Sequence, residues 1–334
     1  MSTSPILMQK QIPAIQYLRG LAALAVVFCH YGSDLPKYRT LGHIFGYGQL
    51  GVHVFFMISG FVIVYALVNN NYHPEYFFRF LLKRSARIDP PYFAAIALTL
   101  ITFQLLKFLP GFRGSSIPLI PGQLLAHVFY VVPFTRWEFY NHLFWTLGVE
   151  FQFYMVIGLL YFLNAGIKFR LMFLLVFSLS AFVQIQNGYY FVFNYAPIFA
   201  AGMALMHYYT EKKRLYLLSF MVSMILVYIH FDLTICLLIC AAAVAVIYVD
   251  LQIRVLHFLG SISYSLYITH ALVFIYTTGV LKKLGVGLDT MVLPVLFFKI
   301  LAAILFACIF YWLIERPAIN LSKKLAYKPE KLNR

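Results

Sequence analysis

The sequence predicts an all-α, polytopic membrane bundle of about ten transmembrane helices with both termini cytoplasmic. Composition is the first reason: 62% of the 334 residues are hydrophobic, 19% are aromatic and only 11% are charged, whereas a soluble domain carries about 25% charge. Recurrence is the second, since apolar runs of the roughly 20 residues needed to cross a bilayer follow one another along the chain. Sorting of charge is the third. With the N-terminus inside, seventeen of the 26 Lys and Arg fall on cytoplasmic segments and seven on outer loops, the bias that orients membrane proteins. The net charge of +15 therefore reports topology and argues against a nucleic-acid partner. Residues 1–11 are polar and unlike a cleaved signal peptide. Residues 1–334 read as a single integral-membrane domain with no appended soluble domain, in contact with membrane lipids.

The spans are placed near 12–33, 50–68, 91–109, 142–163, 170–186, 191–209, 216–231, 233–250, 259–280 and 291–313. The first organises the rest, because it carries both Arg19 and His30. Eleven residues separate them, so they share nearly one helix face about 16 Å apart in depth. Ionisable side chains within hydrocarbon point by default into a bundle interior or a polar cavity. The competing reading has Arg19 snorkelling to one interface and His30 sitting at the other.

The second span, with Ser59 between apolar neighbours and flanking glycines, suits close helix contacts. His53 near its outer end reads as a wet interfacial histidine. Residues 73–89 interleave aromatic and basic side chains like an interfacial amphipathic helix, which Pro90 and Pro91 are expected to end. Arg84 and Arg87 share a face one turn apart. They suit either lipid headgroups or an anionic cytosolic ligand, because guanidinium forks grip phosphates.

The connector 110–141 holds an apolar stretch, 124–132, too short to span. Arg136, Trp137 and Glu138 there stand where an outer substrate would arrive. In the fourth span Glu150 lies about 12 Å from the outer end, a depth at which a carboxylate is paired or protonated. Arg19 and His30 are both candidate partners. The ninth span presents Tyr264, Tyr267 and His270 on one side, as a cavity wall or as packing. Lys299 in the tenth is expected to snorkel outward, and Glu315-Arg316-Pro317 to close that helix. Cys29, Cys236, Cys240 and Cys308 all lie in apolar spans and form no zinc or disulfide pattern.

These stretches together resemble acyltransferase family 3, multi-pass membrane O-acyltransferases that decorate bacterial polysaccharides. The resemblance rests on Leu18-Arg19-Gly20 with His30 eleven residues after the arginine, and on the stretch Gly51-Val-His-Val-Phe-Phe-Met-Ile-Ser-Gly-Phe61. It continues through Lys83-Arg84-Ser-Ala-Arg87 with Pro90 and Trp145-Thr-Leu-Gly-Val-Glu150-Phe-Gln-Phe-Tyr154. Ile262-Ser-Tyr264-Ser-Leu-Tyr267 with His270 and Ile314-Glu-Arg-Pro317 complete it. The chain departs from the family pattern at His53, Gly148 and Phe151.

The resemblance implies a bacterial cytoplasmic (inner) membrane protein. Its co-substrate would be cytosolic acyl-CoA, acetyl-CoA most commonly, with no permanently bound cofactor and no metal. The acceptor would be a hydroxyl of an extracytoplasmic or lipid-linked glycan such as exopolysaccharide, capsule or O-antigen. On that footing His30 is the expected general base, or a transient acyl carrier, and Glu150 orients it or stabilises its imidazolium. Arg19 grips the donor's pantetheine or phosphates, while Lys83, Arg84 and Arg87 bind the nucleotide end. Ser59, Trp145, Tyr154, Tyr264, Tyr267 and His270 are expected to line the cavity. The competing class is a multi-pass transporter or flippase, which ten helices, buried charge and a polar outer loop fit equally well on composition alone. A pair of broken helices in two matching halves would favour it, and the sequence shows no such pair. A glycan-binding scaffold without catalysis is a third reading.

Overall fold

The computed structural model describes residues 12–32, 39–106, 118–161, 166–286 and 292–326, and every regular element among them is helical. Helix α1, Pro13–Gly32, opens on proline, whose missing amide would be an orphan at that position anyway. A short α2, Arg39–Gly46, leads to α3, Gly51–Asn69. Next come α4, Phe77–Leu106, and the short α5, Pro121–Val128. A 3-10 turn at His142–Phe144, capped by the Asn141 side chain accepting from the Leu143 amide, feeds α6, Trp145–Leu160. Then follow α7, Ile167–Leu179; α8, Ala196–Glu211; α9, Arg214–His230; and α10, Leu233–Tyr248, which Asp232 caps through the Ile235 amide. The chain continues with α11, Arg254–Ser261; α12, Ser263–Lys283; α13, Val292–Phe310; a π turn, Tyr311–Glu315; and α14, Arg316–Lys324.

Six helical stretches among the described residues are long and apolar enough to cross a membrane: Pro13–Gly32, Thr40–Asn69, Pro74–Leu105, His142–Leu160, Ser263–Lys283 and Val292–Lys324. Helices α9 and α10 are apolar but shorter.

Helices α3 and α8 pack along each other at the centre, with α1 against α3, α11 and α12. Backbone-to-backbone approach explains two glycine pairs. A Cβ on Gly202 would lie 2.0 Å from the Met57 carbonyl oxygen, and one on Gly60 would lie 2.2 Å from that of Phe199. Likewise a Cβ on Gly20 would meet the Gly260 amide at 2.7 Å, and one on Gly260 would meet the Gln16 carbonyl oxygen at 2.2 Å. Arg19 and Ser59 each precede one of these contacts, so close packing behind them holds them in place. Between α3, α6 and α8 the Phe199 ring stacks on Phe153, with centroids 4.3 Å apart, and meets Phe56 at a tilt, with centroids 5.0 Å apart.

Four local expectations are corrected. Pro90 and Pro91 lie inside α4 and do not end it; packing against α6, α12 and α14 holds one axis across the missing amide donors. Lys299 does not snorkel: it is 7% exposed, with its ammonium over the Phe274 ring, 4.3 Å from the centroid. The ring of His53 is not standing in water; it packs edge-on to Phe231 at 5.4 Å and Tyr195 at 6.0 Å, with Nδ1 buried. Glu315 does not close a helix either. The π turn carries the helix on into α14 and turns the carboxylate inward, where it is 2% exposed.

Candidate active site

A cavity of about 120 Å³ lies between α1, α3, α4, α6, α12 and the π turn. Three guanidinium groups line it, Arg19 from α1 and Arg84 and Arg87 from α4, together with two carboxylates, Glu150 from α6 and Glu315 from the π turn. The one-turn spacing of Arg84 and Arg87 places both on the side of α4 that meets the bundle. Arg84 also stacks over the Phe80 ring at 5.6 Å, which holds its planar group against an apolar wall.

Each carboxylate is held by short bonds. Glu150 Oε1 accepts from Ser59 Oγ at 2.9 Å and from Tyr154 Oη at 2.5 Å. Glu315 Oε2 accepts from the Ser265 amide at 3.1 Å and from its hydroxyl at 2.5 Å. Ser265 lies in the first turn of α12, so Glu315 caps that helix from another element and meets the positive end of its dipole. Tyr264 donates to the Ile88 carbonyl at 3.0 Å, beside the two prolines, and Tyr267 Oη accepts from Thr146 Oγ at 3.0 Å. The cavity therefore sets a cluster of charged groups, more cationic than anionic and held by neutral hydroxyl donors, against an apolar wall that includes Val52, Phe55, Ile63 and Leu147. Such a chamber is built to receive an anionic or strongly polar group.

Of the sequence-predicted residues, Arg19, Ser59, Arg84, Arg87, Glu150, Tyr154, Tyr264 and Tyr267 come together on this one cavity. Trp145 lies behind it, buried among Phe56, Tyr189 and Tyr195. Lys83 turns to the other side of α4, where Nζ donates to the Leu325 carbonyl at 2.5 Å. His30 and His270 form a separate pair near the C-terminal end of α1, so His270 is not on the cavity wall expected for it, and His30 pairs with His270 rather than with Glu150, whose Oε1 is taken by Ser59 and Tyr154. His270 is fully buried, His30 is exposed, and His270 Nε2 stands 3.3 Å from His30 Nδ1. Tyr267 adjoins both places: it lines the cavity, and its ring centroid is 6.1 Å from that of His270.

Glu315 and Thr146 are the polar cavity residues that sequence reasoning missed. A carboxylate directly after the long apolar run of α13 was the available signal for Glu315. Its inward turn depends on the π turn, which has no comparable signature.

Over 168 residues, 48% of its length, the chain is 31% identical to the acyltransferase MdmB of Streptomyces mycarofaciens, covering 42% of that protein. It is 25% identical over 168 residues to the peptidoglycan O-acetyltransferase OatA of Listeria monocytogenes, 44% of this chain and 24% of that one. With nodulation protein 10 of Rhizobium leguminosarum bv. viciae it shares 30% identity over 161 residues, 43% of this chain and 42% of the relative. The match thus spans less than half the length of each of these relatives. No solved structure matches the chain. The family model described as "Acyltransferase domain" matches residues 12–312, which takes in every residue that lines the cavity except Glu315; the chain belongs to acyltransferase family 3.

Proposed function

We propose that this protein is a multi-pass O-acyltransferase of the bacterial cytoplasmic membrane. It moves an acyl group, acetyl in the simplest case, from cytosolic acyl-CoA to a hydroxyl of an extracytoplasmic or lipid-linked glycan. One observation carries the reading: Arg19, Arg84 and Arg87 converge on a single cavity, while the helix that supplies Arg19 presents His30 about 16 Å further along. Arg84 and Arg87 bind the donor's phosphates, and Arg19 its pantetheine or phosphate groups nearer the bundle centre. The Listeria relative named a peptidoglycan O-acetyltransferase supports acetyl as the group and a glycan as the acceptor.

The chemistry needs a base, a stabilised oxyanion and exclusion of competing water. The acceptor oxygen attacks the thioester carbonyl carbon as His30 Nε2 takes its proton. The new C–O bond forms, the C–S bond breaks, and the imidazolium returns the proton to the departing thiolate. The products are an ester and free CoA. General-base catalysis at His30 supplies roughly 10²–10⁴ in rate. Glu150, held by Ser59 and Tyr154, balances the arginine charge beside the donor.

Inside-out vesicles given acetyl-CoA labelled in the acetyl group test this. Saturable transfer of label to glycan by the wild type, abolished in His30→Ala at normal membrane abundance, is the expected result. Full transfer by that variant removes His30 from the chemistry, and movement of an unchanged solute without acyl transfer makes the protein a transporter.

A further inference from the structure

The pairing of the two histidines is assigned atom by atom from their partners. His270 Nδ1 faces two backbone carbonyls of its own helix, Tyr267 at 2.7 Å and Leu266 at 3.2 Å. A carbonyl only accepts, so Nδ1 of His270 carries the proton and Nε2 keeps its lone pair. That lone pair meets His30 Nδ1 at 3.3 Å, and the same His30 nitrogen faces the Val26 carbonyl at 2.9 Å. His30 Nδ1 is then a donor placed between two acceptors, and its other ring nitrogen, Nε2, is left as the basic one. The neighbouring residue locks the same register, because Tyr31 Oη donates to the His270 carbonyl at 2.6 Å. Two successive residues of α1 are thereby tied to one residue of α12, in a chain whose two helices are far apart in sequence.

We propose that His270 is the positioning residue of His30: it holds the imidazole through Nδ1, leaves Nε2 free to accept the acceptor's proton, and stabilises the imidazolium that results. In this site a buried neutral histidine occupies the place that a carboxylate takes in a hydrolase triad. When Nε2 of His30 takes a proton, the Nδ1–H bond becomes more polar, and its hydrogen bonds to His270 and Val26 strengthen. His270 touches neither substrate. The inference rests on the reading of His30 as the base.

Two measurements test it, in the full-length protein in lipid nanodiscs. In the first, ¹⁵N spectra of histidine-labelled protein, with His30→Ala and His270→Gln for assignment, report which ring nitrogen carries hydrogen. Nδ1–H tautomers at both residues are expected, and an Nε2–H tautomer at His30 overturns the proposal. The second is kinetic. His270→Phe keeps the volume but offers no acceptor, and should lower kcat roughly 10–100-fold, by analogy with loss of the partner that orients a metal-bound histidine, with KM for acetyl-CoA unchanged. His270→Gln restores an acceptor and should recover kcat to within a few-fold. Unchanged kcat in His270→Phe, or equal losses in Phe and Gln variants of normal abundance, overturns it. Should His30→Ala prove fully active, the base assignment falls, while the tautomer spectrum still decides how His270 holds the ring.

Discussion

At the scale of single residues, the cavity sets positive charge against a smaller number of carboxylates. Arg87 lies within electrostatic reach of Arg19 and Arg84, with Glu315 as its acidic counterpart. Glu315→Ala would leave the Ser265 amide and hydroxyl buried without their acceptor, which should cost about 1–3 kcal/mol, read as a lower unfolding temperature in detergent. An unchanged temperature would mean that other groups satisfy Ser265. Arg87→Lys keeps the charge but loses the planar fork, so KM for acetyl-CoA should rise about tenfold with kcat nearly constant, the pattern of lost ground-state binding. A fall in kcat alone would place Arg87 at the transition state instead. Lys83→Ala should leave KM unchanged, since its ammonium reaches Leu325 and not the cavity; a raised KM would restore it to the donor site. Arg19, Arg84, Arg87 and Glu150 were legible in the sequence because charge in an apolar run needs an explanation. Glu315 was not, since it lies at the end of such a run, where a carboxylate ordinarily meets water.

At the scale of helices, the arrangement depends on close approaches made possible by glycine. Gly202→Ala would place a methyl group 2.0 Å from the Met57 carbonyl oxygen, which α3 and α8 can relieve only by moving apart. A loss of about 1–3 kcal/mol is expected, measured by thermal unfolding. Stability equal to wild type would show that the two helices are not held at this distance. Gly20→Ala acts on α1 against α11 in the same way, and because Arg19 is adjacent it should also weaken donor binding. Helix positions were readable from hydrophobic runs, since each expected span overlaps a helix, although only six helical stretches among the described residues are long and apolar enough to cross a membrane. The continuity of α4 through Pro90 and Pro91 was not readable. Local chemistry says that proline ends a helix, and packing from α6, α12 and α14 overrides it.

At the scale of the molecule, the axis of α1 joins the chamber to the histidine pair, since α1 supplies Arg19 to the one and His30 to the other. The spacing of Arg19 and His30 made that axis visible in the sequence. The division into two places was hidden, because it requires knowing that Tyr267 stands between the chamber and His270. Orientation is testable without reference to activity. Cysteines introduced at Asn187 and Lys212, the left-handed turns that flank α8, should react with an impermeant thiol reagent from the outer and cytoplasmic faces respectively. Reaction from the same face would contradict the assigned topology.

The most direct measurement is a structure of the protein in nanodiscs with a non-reactive thioether analogue of acetyl-CoA. The expected density has phosphates against Arg84 and Arg87 and the thioether sulfur beyond Arg19, on the Tyr267 side of the chamber towards His30. An analogue bound elsewhere, with Arg19 facing lipid and the chamber empty, would contradict the claim that α1 turns its basic side chains onto one acyl-transfer path.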